Sequence, residues 1–342
     1  MYKKLLIIGT IVLAVGLILI FASLCAAGFD LERIYTNELD DQSYAIQTEI
    51  DRIYLDIDGA NIDIIPTDGA FRVDYQSGKD DEYDISETDG QLKIIKTTHK
   101  GIVIRFDLFD DTPDIKLYIP RDKLTECELI ASGAAVDIQE LEFTKLKLNS
   151  NGTVLSLFGI RTDEVDITSD GASLKLDSVK TGKLALDCES TAVTLNNLNA
   201  SDKIEFTASD STIRLEKLSG ESLDLTISSA TFNASGLTLI SDTKINASDC
   251  TFNLSSLTTN TLDTEIESGF FTLSADSVKT NIDAVDAMVT LTLAGAESDY
   301  TISLDKSDSL SNISPRDGGF RELTLGLESS SFSCKFDGSG IC

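Results

Sequence analysis

The stretch SNGTVLSLFGIRTDEVDITSDGASLKLDS, residues 150–178, states one pattern twice. Ser150-Asn151-Gly152 leads into Leu155-x-Leu157-x-x-Ile160. Ser169-Asp170-Gly171 leads into Leu174-x-Leu176-x-x-Val179, 19 residues later. Extended in both directions, the template is apolar-x-apolar-x-x-apolar, a gap, then apolar-x-apolar. Val136, Ile138, Leu141, Leu146 and Leu148 meet it, and adding 19 gives Leu155, Leu157, Ile160, Val165 and Ile167. A further 19 gives Leu174, Leu176, Val179, Leu184 and Leu186. The copy at Val193, Leu195, Leu198, Ile204 and Phe206 has one residue more in its gap, and Ile213, Leu215, Leu218, Leu223 and Leu225 follow. Weaker copies begin at Phe232, Phe252 and Phe271, and small polar turns such as SGAA, SNGT, ESTA and SDST precede the units.

Each unit holds only short alternating apolar runs, which excludes a helical repeat. A period of about 20 residues carrying two short strands points to an all-β solenoid, akin to a parallel β-helix. Equivalent apolar positions then stack from coil to coil as a continuous interior, and the turns recur because the chain bends at the same corner each time. Gly152 and Gly171 suit corners with positive φ. At about 4.8 Å per coil, eight coils make a rod about 40 Å long.

Upstream, period-two runs such as Ile53-x-Leu55-x-Ile57, Ile62-x-Ile64, Leu92-x-Ile94, Ile102-x-Ile104-x-Phe106-x-Leu108 and Ile115-x-Leu117-x-Ile119 alternate with Asp58-Gly59, Asp68-Gly69, Ser77-Gly78 and Asp89-Gly90. These read as strands joined by tight turns. Solenoid ends are open to edge pairing, so the irregular strands of 51–125 are expected to close one end and Thr324–Cys342 the other. Asp305–Gly319 reads as a loop before that second cap.

The run Leu5–Phe29 carries no charge and exceeds the roughly 20 residues that cross a bilayer. Lys3 and Lys4 precede it, and Asp30 and Glu32 follow with only Arg33 for balance. The positive-inside rule places the N-terminus in the cytoplasm and everything after residue 29 outside. A cleaved signal peptide has a shorter apolar core, and the residues before Cys25 do not favour lipidation, so the reading is an uncleaved single-pass anchor. The organisation is then an anchor at 1–29, a membrane-proximal stalk at 30–50, the irregular β part at 51–125, and the repeat solenoid with its C-terminal cap at 126–342.

Of 342 residues, 28 are basic and 57 acidic, a net charge of −29, which excludes nucleic-acid binding. The six cysteines contain no CxxC pair, which argues against a thiol metal site. Cys127, Cys188 and Cys250 read as core residues, while Cys334 and Cys342 are near enough in sequence to pair. The single histidine, His99, sits in a turn-like KTTHKG and leaves no Ser-His or Cys-His arrangement. Asp107, Asp110, Asp111 and Asp114 make the one candidate calcium loop, without EF-hand or nonapeptide spacing; a solvated acidic loop is the simpler reading. Polysaccharide-cleaving β-helices carry long cleft-forming loops, whereas the gaps here are short and nearly constant. The sequence therefore assigns no catalytic, cofactor or metal residue, and the protein is read as a non-enzyme.

The layout resembles a bacterial family known as "putative adhesins", a domain of unknown function in membrane-anchored envelope proteins, particularly of Gram-positive bacteria. The residues that carry the likeness are AAGFDLERI (26–34), IYLDIDGANIDIIPTDG (53–69), IKLYIPRDKLTECELIASGAAVDI (115–138) and the recurring S-x-G before a strand. Their order, more than any one of them, makes the resemblance, which spans nearly the whole chain. It implies a single-span anchor bearing an extracytoplasmic β-solenoid that binds or scaffolds at the cell surface, with cell-wall polymer or a surface or membrane protein as partner. Some relatives sit beside envelope-stress regulators, so a regulatory partnership is the alternative. Met1–Lys4 is too short to signal, and any signal would pass through a partner.

Overall fold

The structure, a computed structural model, describes residues 9, 12–22, 39–78, 81–98, 112–121 and 124–338. Among the described residues, twenty-five strands join in a single sheet coiled upon itself. Residues 12–22 are helical, but no helix among the described residues is long and apolar enough to cross a membrane.

Each repeat forms one coil with two long sides and a short third. On the first side Leu146 lies beside Val165, then Leu184, Ile204 and Leu223, all in parallel register. On the second, Leu155 is followed by Leu174, Val193, Ile213, Phe232 and Phe252. Parallel bridges from Glu142 to Arg161 to Lys180 form the short side. Every apolar position in the five full copies of the template is buried. Because successive side chains along a strand point to opposite faces, that alternation fixes the register: a slip of one residue would turn the core outward. Further along the rod, the rings of Phe232 and Phe252 stack at 4.6 Å and those of Phe252 and Phe271 at 5.8 Å.

The corners explain the polar turns. Between the first and second sides the chain passes through left-handed backbone at Gly152, Gly171, Ser190, Asp210, Ser229 and Asp249. The next residue is small and points inward. The Thr153 hydroxyl donates to the carbonyls of Ala131 and Asn151, Thr191 to those of Ser169 and Glu189, and Ser211 to that of Ser209. The small hydroxyl is thereby satisfied inside the bend. It adds a second donor to carbonyls such as those of Asn151, Glu189 and Ser209, which also accept from the N–H groups of Gly133, Gly171 and Ser190 in the adjacent coil. A second left-handed corner follows each second side, at Glu140, Gly159, Ser178, Asn197, Lys217, Gly236 and Ser256.

At both ends the coils do not stack in chain order. The first strands are β1 (Asp40–Ala45), β2 (Arg52–Asp58), β3 (Asn61–Thr67), β4 (Arg72–Ser77), β5 (Asp81–Thr88), β6 (Gln91–Thr98), β7 (Asp114–Pro120), β8 (Leu124–Ser132) and β9 (Ala135–Gln139). Strand β2 pairs in parallel with both β6 and β8, and β3 with both β7 and β9. The first coil in sequence is therefore second in space, wedged between its two successors. Antiparallel pairing then ends the stack, with β5 on β6, β4 on β7 and β1 on β4.

The far end repeats the device. Arg321–Glu328 pairs with residues 279–285 on one side and Tyr300–Ser307 on the other. Ser331–Phe336 likewise lies between residues 288–293 and the short strand Leu310–Ser311. The last coil in sequence is thus penultimate in space.

Two expectations change accordingly. Of the Asp-Gly pairs, Asp89-Gly90 turns a hairpin, whereas Asp58-Gly59 is a coil corner with φ of 62° at the glycine, because β2 and β3 pair with other coils and not with each other. The outer layer at the far end is Tyr300–Gly319, where Ile302 and Arg316 exchange backbone hydrogen bonds. The segment from Thr324 to Phe336 lies one coil further in.

Candidate functional site

Among the described residues, no group of three or more His, Cys, Asp or Glu is placed to hold a metal ion. His99, Asp107, Asp110, Asp111, Cys25, Cys342 and the run Ile102–Leu108 lie outside the described residues. Asp114 opens β7 and lines a groove of about 370 Å³ at the N-terminal end, together with Asp41, Ser43, Asp74, Gln76 and Lys116. Each carboxylate there has a protein partner. Asp114 accepts from Asn61 Nδ2 at 3.0 Å, Asp41 from Gln76 Nε2 at 3.1 Å, and Asp74 from Ser43 Oγ at 2.8 Å and Arg72 Nε at 3.2 Å. Such a groove holds β1, β4 and β7 together through side chains; its acids are engaged in structure.

Cys127, Cys188, Cys250 and Cys334 are buried thiols. Burial pushes Cys127, Cys188 and Cys334 up to about 12, far from the low values of nucleophilic cysteines.

On the outer surface, the two long sides differ in chemistry over the coils from Ala192 to Thr292. The first side carries ion pairs that run from coil to coil: Lys147–Glu128 at 2.9 Å, Lys145–Glu164 at 3.1 Å and Lys203–Asp224 at 3.2 Å. The second side, from Ala192 to Thr292, is built of hydroxyls and amides. Its outward strand positions hold three charged residues: Arg214 and Glu216, which pair with each other at 2.6 Å, and Asp276, which pairs with Arg321 at 2.8 Å. Thr212, Thr231 and Thr251 form one row along the rod, and Arg214, Asn233 and Asn253 the next. The repeat template locates this surface, since each outward residue stands between two core positions. Its lack of charge shows only once the two sides are separated.

Comparison with known families bears directly on this architecture. Residues 50–210 match the family model Toastrack DUF4097, a domain of unknown function. Over those residues the chain is similar to the Toastrack domain. The match ends near Asp210, one of the corner residues, while the same coil architecture continues to Phe336. No curated protein matches the chain at a significant level. Solved structures similar to it include two proteins described as "putative adhesins". The one from Parabacteroides distasonis has 12% identity, covers 86% of this chain and 97% of its own, and gives a TM-score of 0.39. The one from Parabacteroides merdae also has 12% identity, covers 88% and 98%, and gives 0.39. A third, from Bacteroides fragilis, has 11% identity, covers 88% and 98%, and gives 0.26.

Proposed function

We propose that this protein is a non-catalytic binding or scaffolding module of the bacterial cell surface, carried on a single-pass anchor at Leu5–Phe29 with the Toastrack-like solenoid outside the membrane. The observation that carries the reading is the form of the Toastrack-like solenoid and its continuation: a rod with one unbroken core, short constant corners and broad outward faces. That form presents surface rather than a cleft. The apolar run with lysines before it and acids after it supports the anchor and its orientation. An overall charge of −29 keeps such a rod soluble and separate from its neighbours.

The test is co-sedimentation of the full-length protein, in detergent micelles, with isolated cell walls in the presence and absence of calcium. Saturable binding is the expected result. Calcium dependence would assign a role to Asp107–Asp114. Protein that stays in the supernatant contradicts the surface-binding reading. In-cell crosslinking to one specific membrane protein would then support the regulatory alternative.

A further inference from the structure

Over the coils from Ala192 to Thr292, the second side of the solenoid is poorer in charge than the first. We propose that this side, across the coils from Ala192 to Thr292, is a binding face for an uncharged polysaccharide chain. The inference rests on the surface-binding reading and adds to it the face and the class of ligand.

Charge selects the class. Over the same coils the first side exposes Lys203, Glu205, Asp224, Lys244, Asp263 and Glu265, and the chain as a whole carries −29. The strand positions of the second side offer the self-paired Arg214 and Glu216 and the Arg321-paired Asp276, so they have no free cation for a polyanion such as a phosphate-bearing polymer. The exposed cation at the corner that follows is the single Lys217. The corner that borders it carries exposed carboxylates at Asp210, Asp249 and Asp286, which repel one. A basic partner would meet more opposite charge on the first side. An array of hydroxyls and amides instead matches a neutral ligand rich in hydroxyl groups, each able to donate and accept.

Periodicity selects a polymer. Thr231 stands beside Thr251, Asn233 beside Asn253, and Ser235 beside Ser255, so adjacent coils offer the same three groups in the same order. Coils recur at about 4.8 Å, and alternate residues along a parallel strand at about 6.6 Å. A repeating chain laid across such a grid makes the same weak contact many times, and linked weak contacts sum to useful avidity.

The third observation is apolar. The row of Thr212, Thr231 and Thr251 occupies the second position after the left-handed corners at Asp210, Ser229 and Asp249. In later coils the same position, after Ser268, Asp286 and Asp308, is held by Phe270, Met288 and Leu310. Their side chains are 63%, 52% and 75% exposed, in a fold whose other apolar strand positions mostly face inward. Sugar rings present apolar C–H faces between their hydroxyls. An exposed phenylalanine at the end of a hydroxyl and amide grid supplies the surface on which such a face packs.

Affinity electrophoresis of the full-length protein in detergent micelles tests the proposal. The gels contain soluble hydroxyethyl cellulose, dextran, mannan or galactan, with polygalacturonate as the anionic comparison. Retardation by at least one neutral polysaccharide and none by polygalacturonate is expected. The double substitution Asn233→Asp with Asn253→Asp keeps side-chain size and adds charge to the face; with it, and separately with Phe270→Ala, apparent affinity should fall at least about tenfold as repeated contacts are lost. Thr207→Asp with Thr226→Asp, on the first side, should leave retardation unchanged, and all variants should melt as the parent does. Absence of retardation by every neutral polysaccharide, or equal retardation of the second-side variants, overturns the proposal. So does a dimer, detected by light scattering, that the second-side variants dissociate, since the face would then belong to a second copy. Walls that still hold the second-side variants would leave the surface-binding reading standing while removing this face from it.

Discussion

The middle of the rod and its two ends solve different problems. From about Val136 to Leu257 each coil has a coil on either side, and the same apolar positions recur with small hydroxyls at the corners. The buried polar side chains there are Ser and Thr. Lys96 and Arg321 are the only charged residues buried as a whole among the described residues, one near each end. Lys96 Nζ pairs with Asp81 at 2.9 Å and donates to the carbonyls of Asp58 and Gly59, the corner of the wedged first coil. Arg321 opens the wedged last coil. Its Nη1 pairs with Asp276 at 2.8 Å and donates to the carbonyls of Ser277 and Ala294 and to the Tyr300 hydroxyl, while its Nε has no partner. Tyr300 in turn donates to the Ala294 carbonyl at 2.7 Å.

A repeat needs no unique contact, because translation along the rod supplies each coil with its partner. An end has no next coil, so it is closed by contacts that occur once. The wedged order serves the same purpose. A terminal coil has one neighbour, but the chain's first and last coils each sit between two ladders of hydrogen bonds. Negative charge on the outer strands, Glu82, Asp84 and Glu87 in β5 and Asp305 beyond Ile302, then disfavours end-to-end addition of a second rod.

The largest expected effect lies in the middle. Leu176→Asp places an unpaired carboxylate in a fully buried position and should cost more than about 4 kcal/mol, abolishing cooperative melting. Lys175→Asp, one residue away and facing solvent, should change stability by less than about 0.5 kcal/mol. Similar melting of the two variants would break the assigned register.

The end fasteners come next. Lys96→Met removes the cation beside the 6% exposed Asp81 carboxylate, which keeps the Gly78 N–H, and should cost about 3 kcal/mol. Hydrogen exchange should show the loss at β5 and β6 while amides of Lys183–Ser228 stay protected; uniform loss along the rod would erase the distinction between ends and middle. Arg321→Met should act in the same way on Tyr300–Glu328.

Corner substitutions are smaller. Gly171 has φ of 59°, and Gly171→Val should destabilise by about 1–3 kcal/mol. At the equivalent corner Ser190 has φ of 51°, and Ser190→Gly should raise stability by up to about 1 kcal/mol in chemical denaturation. Opposite signs at two equivalent corners are the expected signature of the shared bend.

The smallest effect concerns the stalk. Thr48 Oγ1 donates to Glu87, and the backbone N–H groups of Gln47 and Thr48 do so at 3.0 and 2.8 Å. The Thr48 hydroxyl, followed by those amides and opposed by partial burial, holds the Glu87 carboxyl below its usual range. A depressed carboxyl stabilises the fold above its unfolded pKa, about 4.3, and the contribution disappears as pH falls through the lower folded value. Amide protection at Gln47 and Thr48 should therefore persist at neutral pH and fade only in acid below that range. Loss near pH 6 would point to another group.

The repeats were legible because their determinants are local and recur: Leu174 and Leu176 announce the same strand as Leu155 and Leu157. The expected curl at Gly152 and Gly171 is present, although most corners fall on Ser, Asp, Asn, Glu or Lys, whose left-handed conformation no simple motif declares. The coil order was not legible. Ile53, Leu55 and Ile57 would alternate identically in any position along the stack, and what fixes their place, Lys96 reaching Gly59, joins residues 37 apart in sequence. Arg321 offered a still weaker signal, a lone basic residue opening an ordinary alternating strand. Candidate function was legible only as surface. Separating the neutral from the charged side required knowing which outward residues share a side.

The most direct test of this account is disulfide trapping at the far end, where wedged and sequential orders predict different neighbours. Asn281 stands beside Thr324, and Thr324 separates it from Ser303. Neighbouring coils, about 4.8 Å apart, permit a disulfide, whereas two coils' distance does not. Asn281→Cys with Thr324→Cys should therefore oxidise readily in the folded protein, seen as a mobility shift on non-reducing gels. Asn281→Cys with Ser303→Cys should remain reduced. The reverse result would show that the last coil caps the rod in chain order and would contradict the account.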